Sequence, residues 1–348
     1  MIKVLLVDDS PLVLAVLKRM LSSPGSEIEV VGTASNGADA LRQIPLLDPQ
    51  VICTDYHMPV MDGLQLTREV MARYPRPILV ISIAVQQGKD DTNIFQFLDA
   101  GAIEIFPKPV GGLKCDFINL STRLIRKIRV LSGVTMFTRF PRDLQNATPK
   151  ARPAKAGMDS LDSSARILTI GASTGGPQAL HDILANLSPS LSMPVICIQH
   201  ISEGFLDGLL EWLGSICPLP VQTAVDGERP NPATIYFPPE NRQLTINRNG
   251  QFTTLTRTPD ELHTPSVNIT FNSIARYYGK SVIAALLTGM GNDGAAGLQS
   301  IHRAGGFTIA QDESTCIVFG MPNEAIKLGA AVKVWPLPKI VQTLGNLK

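Results

Sequence analysis

The sequence has almost no net charge, no cysteine pattern and no long apolar run, and each of these absences argues against a class of protein. Over 348 residues, 31 basic and 30 acidic side chains leave a formal charge of +1. A nucleic-acid binder normally carries a basic excess or a concentrated basic face, so no nucleic acid is expected as a partner. The one basic cluster, Arg123, Arg126, Lys127 and Arg129, has the spacing of the wet face of a helix. The five cysteines, Cys53, Cys115, Cys197, Cys217 and Cys316, are odd in number and scattered. They fit neither a disulfide framework nor a zinc site. The opening segment Met1-Ile2-Lys3-Val4-Leu5-Leu6-Val7 meets Asp8 and Asp9 at once. A secretory signal needs a longer apolar stretch and a membrane span about 20 apolar residues. The expectation is a cytoplasmic, monomeric protein with no direct membrane insertion.

What is present is a globular composition, 44% hydrophobic and 18% charged, in a chain long enough for two domains. Short apolar runs at 2–7, 28–32, 51–54, 78–83 and 103–106 read as buried strands. Helical patterns lie between and after them: Leu12, Val13, Val16, Leu17 and Met20, then about 38–44, 63–73, 92–98 and 116–130. Such alternation predicts a parallel sheet covered on both faces. The composition changes between about 142 and 165, where Pro, Ala, Lys and Asn replace any apolar period, as in a flexible linker. A second alternating pattern begins near Arg166. The expected fold is therefore α/β in two domains: a five-stranded (βα)5 domain over 1–125, a connecting helix and linker over 126–165, and a doubly wound, mostly parallel domain over 166–348.

In an open parallel sheet, ligands collect at the carboxyl ends of the strands. Asp8 and Asp9 follow the first strand and Asp55 the third. Carboxylates so crowded stay ionised cheaply only with a divalent cation among them. Ser82 ends the fourth strand and Lys108 the fifth. A carboxylate nucleophile, a metal ion, a hydroxyl and an ammonium on one rim are the parts of a phosphoryl-transfer site.

Val7-Asp8-Asp9-Ser10, Asp55-Tyr56-His57-Met58-Pro59-Val60-Met61-Asp62-Gly63 and Phe106-Pro107-Lys108-Pro109 resemble the signatures of response-regulator receiver domains. The resemblance implies phosphorylation of Asp55 by a histidine kinase. It also implies Mg²⁺ held by Asp8, Asp9, Asp55 and the backbone carbonyl of His57, with Ser82 and Lys108 on the phosphoryl oxygens. One position departs from the family. Receivers usually place an aromatic switch residue three positions before the lysine, and Ile105 stands there. Phe106, next to it, should point to the opposite face of the strand.

In the second half, the strand near 167–170 runs into Gly171-Ala172-Ser173-Thr174-Gly175-Gly176-Pro177. Glycines permit a sharp strand-to-helix turn that can expose a nucleophile, and the same loop suits a nucleotide phosphate or a mere tight turn. A serine nucleophile needs a base, and the base an orienting acid. His200 ends the strand 195–199, and Asp293 follows the strand 281–287. His181, His263 and His302 read as exposed or satisfied histidines, and Asp312 and Glu313 as rival acids on spacing alone. The order Ser, His, Asp differs from the Ser, acid, His order of the α/β-hydrolases.

The glycine-rich segment, with Gln199-His200, Thr264-Pro265-Ser266-Val267-Asn268, Thr288-Gly289-Met290-Gly291-Asn292-Asp293-Gly294 and Met321-Pro322-Asn323-Glu324-Ala325, resembles the catalytic domain of the chemotaxis protein-glutamate methylesterases. The resemblance implies hydrolysis of glutamate methyl esters on chemoreceptors, and deamidation of receptor glutamines, by Ser173, His200 and Asp293. The candidate oxyanion donors are backbone N–H groups around Thr174 and Met290. No cofactor is expected for the esterase step, and the receiver is expected to inhibit until phosphorylated. The family more typically has Asp where this chain has Asn268, which points to an altered salt bridge or substrate contact. The rival reading is a non-catalytic phospho-switch that binds chemosensory partners. A DNA-binding regulator is disfavoured by the size of the second half, and a nucleotide-binding loop by the lack of a Walker lysine.

Overall fold

A computed structural model describes residues 1–23, 25–83, 94–109, 114–136, 165–258 and 261–348, with the backbone alone at 114–116. Most of the expected linker, the side chain of Cys115 and the start of the helix expected at 92–98 lie outside the described residues. The chain forms two compact units.

The first unit runs β1 (Ile2–Val7), α1 (Pro11–Leu21), β2 (Ile28–Ala34), α2 (Gly37–Leu47), β3 (Val51–Thr54), α3 (Gly63–Arg73), β4 (Ile78–Ser82), α4 (Gln96–Asp99), β5 (Glu104–Pro107) and α5 (Lys114–Ser132). All five strands pair in parallel, in the order β2-β1-β3-β4-β5. The order reverses between β1 and β3, so the crevice there opens beside Asp8, Asp9 and Asp55. Val4 to Val7, Val51 to Cys53 and Ile78 to Ile81 are buried, as a sheet with helices on both faces requires. Asx and Ser caps start the helices. Ser10 accepts from Val13 N, Asn36 from Asp39 N and Asp62 from Gln65 N. The expected second helix stops before Pro45, yet α2 continues to Leu47. Proline removes only one backbone donor, and Asp48 N closes the turn onto Ile44 O at 2.9 Å. The expected break at residue 125 falls inside α5. Leu124, Ile128 and Leu131 of that helix are buried, and Ser121 Oγ donates to Met20 O at 2.7 Å.

The second unit runs β6 (Ile167–Ala172), α6 (Gly176–Leu184), β7 (Val195–Gln199), α7 (Leu206–Gly214), β8 (Val221–Thr223), β9 (Ile235–Phe237), β10 (Arg242–Ile246), β11 (Phe252–Thr256), α8 (Val267–Tyr278), β12 (Val282–Leu286), α9 (Ala295–Arg303), β13 (Phe307–Gln311), α10 (Met321–Lys327), β14 (Lys333–Trp335) and α11 (Leu337–Gly345). Seven strands form a parallel sheet in the order β14-β13-β12-β6-β7-β9-β8. The chain winds outward in both directions from β6, so the loops after β12, β6 and β7 share one end of the switch point.

The β10–β11 hairpin is antiparallel and stands apart from that sheet. Strand alternation alone did not separate it from the parallel pattern. Asn247 Oδ1 closes its turn by accepting from Asn249 N and Gln251 N. The hairpin props α8: Thr270 Oγ1 donates to Leu244 O and Ile246 N to Ser273 Oγ. Among the described residues no helix is long and apolar enough to cross a membrane. Cys53, Cys197, Cys217 and Cys316 are free thiols. Burial holds all four above the ordinary thiol range, Cys53 and Cys316 at about 12, so they stay un-ionised.

Candidate functional site

In the first unit, oxygens of Asp8, Asp9 and Asp55 lie within 4.8 Å of one another. Asp8 and Asp55 are buried and Asp9 is exposed. Lys108 Nζ stands 2.8 Å from Asp8 Oδ2 and 2.8 Å from Asp55 Oδ2. Burial pushes the Asp55 carboxyl above its ordinary value; Lys108 offsets part of this and the Asp8 charge adds to it. Burial works against the Lys108 ammonium, but the two carboxylates outweigh it and raise its pKa. Three oxygen donors with a destabilised carboxylate among them are the donor chemistry of a hard divalent cation. Among the described residues Ser82 Oγ bonds neither carboxylate and makes a long 3.4 Å bond to Ile83 O. Lys108 N donates to Ser82 O at 2.7 Å, which ties the hydroxyl-bearing and ammonium-bearing strand ends together. Gly63 has no room for a side chain, because a Cβ there would lie 2.0 Å from Asp55 O. The ring of His57 faces Tyr56, with centroids 4.2 Å apart. As expected from the pleat, Phe106 is fully buried while its neighbour Ile105 is only half-buried, and Arg123 lies 5.8 Å over the Phe106 ring.

In the second unit, Ser173, His200 and Asp293 stand at the ends of three adjacent strands, β6, β7 and β12. His200 Nε2 lies 2.8 Å from Asp293 Oδ2, which leaves Nδ1 as the other ring nitrogen able to serve a hydroxyl. Ser173 N donates to Thr288 O and His200 N to Ala172 O. Ser173 is buried, and its Oγ makes no hydrogen bond among the described residues. Gly175, in the left-handed region at φ 75°, begins α6 directly behind it. The Thr288–Gly291 loop presses on Ser173: a Cβ on Gly289 would come 2.7 Å from Ser173 Cβ. Gly289 N donates to Val318 O, its carbonyl accepts from Gly320 N and Met321 N, and Met290 N has no acceptor among the described residues. Thr174 is buried and its carbonyl accepts from Thr288 Oγ1.

The support of Asp293 was not legible in the sequence. Its carboxylate sits at the N-terminus of α8. Val267 N, Asn268 N and Ser266 Oγ donate to it at 2.7, 3.0 and 2.9 Å, and Gly294 N at 3.1 Å. Burial alone would raise its pKa. The His200 bond and charge and the Asn268 and Val267 N–H groups outweigh that and hold it at about 2. Asn268, expected to alter a salt bridge or a substrate contact, turns instead onto the next helix: its Oδ1 accepts from Gly297 N at 2.7 Å. An aspartate could take that bond too, but would add a negative charge beside Asp293.

His263, expected to be a bystander, lies flat on His200, with centroids 4.5 Å apart and planes 5° from parallel. Gln243, fully buried, fixes this loop by donating to His263 O and accepting from Ser266 N. The other competitors sit elsewhere. His181 stacks on Trp212, His302 is exposed, and Asp312 caps the turn at 313–315 through Thr315.

The depressed Asp293 pKa predicts an acid transition. Its folded value lies below the unfolded 3.8, so its contribution is complete above about pH 4 and is lost as pH falls toward about 2. That contribution is roughly 2 kcal/mol. Thermal melts between pH 5 and 2 should show this loss in the wild type, and Asp293→Asn should lack it.

An acidic, lysine-bearing rim on one parallel sheet and a Ser, His and Asp set on the rim of another define a class: a phosphoacceptor-like domain joined to a serine-hydrolase-like domain. Residues 4–114 match the model of the response regulator receiver domain, and residues 168–344 that of the CheB methylesterase. The chain is 40% identical over 344 residues to protein-glutamate methylesterase/protein-glutamine glutaminase 3 of Hahella chejuensis, covering 99% of this chain and 98% of that one. It is 37% identical to the protein-glutamate methylesterase/protein-glutamine glutaminase of Nitrosospira multiformis, covering 100% and 97%. The crystal structure of the Thermotoga maritima CheB methylesterase catalytic domain is similar over 52% of this chain and 97% of its own, at 37% identity and a TM-score of 0.50. The chain belongs to the CheB methylesterase family.

Proposed function

We propose that this chain is a phosphorylation-activated serine esterase that hydrolyses glutamate methyl esters on chemoreceptors and deamidates receptor glutamines. The observation that carries the reading is the His200–Asp293 pair, held at 2.8 Å by the N-terminus of α8 one strand away from Ser173. Ser173 Oγ attacks the γ-carbonyl and His200 takes its proton, while Asp293 holds the ring and stabilises the imidazolium. Met290 N–H, which has no acceptor among the described residues, and Thr174 N–H receive the developing oxyanion. His200 then returns the proton to the leaving group. Methanol departs from an ester, or ammonia from an amide, and water cleaves the acyl-enzyme to leave glutamate. The open cleft between Gln199, Leu206, Phe237 and Thr264 receives the polypeptide beside the ester.

In the first unit, which on this reading ends with α5, Asp55 accepts a phosphoryl group from a histidine kinase. Asp8, Asp9, Asp55 and the His57 carbonyl would hold Mg²⁺, which would neutralise charge on the phosphoryl oxygens. Ser82 donates a hydrogen bond to one of those oxygens, and Lys108 exchanges its Asp55 contact for another. The site of action is the cytoplasm, where chemoreceptor signalling domains and histidine kinases meet.

The test is methanol release from a methylated receptor fragment, with and without a small phosphodonor and Mg²⁺. Release should rise with phosphodonor in the wild type and not in Asp55→Asn. Equal stimulation of both proteins would remove Asp55 from control, and no release from either would refute the esterase.

A further inference from the structure

Gln199 ends β7 immediately before His200, with its side chain 3% exposed. Its single amide nitrogen donates twice, to Ser173 O at 2.9 Å and to His200 O at 2.8 Å. Those are the main-chain carbonyls of the proposed nucleophile and the proposed base. Ala172 and Gln199 are register partners across β6 and β7, so the sheet ladder ends where this side chain begins. Beyond that point the two strands part into separate loops, and the Gln199 amide spans them.

The other end of the amide has an unusual position. Gln199 Oε1 is buried and has no hydrogen-bond partner among the described residues. Burying an unpaired acceptor costs free energy, and an apolar side chain of similar length would avoid that cost. The space around Oε1 is also kept open by the neighbouring chain. A Cβ on Gly176, in the first turn of α6, would lie 2.2 Å from it. Gly176 is helical and not in the left-handed region, so backbone conformation does not demand glycine there. The steric demand comes from the amide and from Ala172 Cβ at 2.7 Å.

We propose that Gln199 is a positioning residue for the reaction: its amide nitrogen fastens Ser173 and His200 to each other, and so sets the approach of Ser173 Oγ to the imidazole. The proposal rests on the assignment of Ser173 and His200 as nucleophile and base. Asp293 aligns the imidazole from the far side, through α8. Gln199 aligns the base and the nucleophile from below, through their carbonyls. The two supports act on different bonds and are separable by experiment.

The experiment is the rate of Ser173 modification by a fluorophosphonate in the full chain, together with kcat and KM for a methylated receptor fragment. Gln199→Met keeps length and burial but removes both donors. Gly176→Ala keeps the amide and drives it out of place with one methyl group. Each variant should lose about 10²-fold in labelling rate and in kcat, since displacements near 1 Å have that effect on reacting groups. KM should change far less than kcat: Gln199 borders the cleft but is only 3% exposed, and its amide nitrogen is turned to the two main-chain carbonyls. The low-field NMR resonance of the proton between His200 and Asp293 should persist in both variants, because that pair does not depend on Gln199.

Wild-type labelling and kcat in a folded Gln199→Met protein, with Ser173→Ala unlabelled, would overturn the proposal and leave the nucleophile in place. Labelling that survives Ser173→Ala would overturn the nucleophile assignment and the proposal with it. Loss of the cooperative melt in both variants would make Gln199 a fold residue and overturn its positioning role.

Discussion

Ser173→Ala is expected to lower methanol release about 10⁶-fold, the scale on which loss of a serine nucleophile acts in hydrolases with such a triad. The substitution should leave the fold alone. Among the described residues, every hydrogen bond at Ser173 is made by its backbone: its N donates to Thr288 O, and its O accepts from Gly176 N and the Gln199 amide. Its hydroxyl makes none among the described residues, so removal orphans no buried partner. An alanine methyl also fits where Gly289 closes on Ser173 Cβ, because that contact is made by the carbon and not the oxygen. Binding of the receptor fragment and the melting temperature should match wild type. A fall smaller than about tenfold would show that the ester is cleaved by another group.

Asp293→Asn should reduce kcat about 10⁴-fold, the cost of losing the charge that orients a catalytic histidine. Here the damage has two sources. His200 Nε2 would face a neutral amide, so the imidazolium formed during attack would lose its counter-charge. In addition, Val267 N, Asn268 N, Gly294 N and Ser266 Oγ all donate to the carboxylate. An amide offers one acceptor oxygen, so part of this cradle would meet an NH₂ group instead. Stability at neutral pH should therefore fall as well, unlike in Ser173→Ala. The pair of variants separates loss of chemistry alone from loss of chemistry with loss of α8 anchoring. An Asp293→Asn enzyme with wild-type kcat would transfer the orienting role to another group, and His263, stacked on the His200 ring, would be the first to examine.

Much of the first unit was legible because its signals are local. An unbroken apolar run makes β1 a buried strand, Asp62 caps α3 within its own turn, and the acidic residues follow strands whose parallel order the alternation implies. The placement of Ser173 and His200 at strand ends was legible for the same reason. Helix ends were less so. Pro45 did not stop α2, since tertiary burial of Ile44 overrode the local breaker.

The amino-acid sequence alone thus determined the two α/β units, the acidic rim and the strand ends that carry the candidate Ser, His and Asp. Tertiary structure alone decided how that set is held. Asp293 is cradled by a helix start 26 residues earlier, and it meets His200 across 93 residues. Gln199 reaches Ser173 across 26 residues, and Gln243 reaches Ser266 across 23. His263 stacks on His200 from a loop whose place depends on the β10–β11 hairpin and α8. No periodicity or cap links residues so far apart. Their contacts exist because the parallel sheet brings β12, β6 and β7 side by side, and buried polar groups there must find partners.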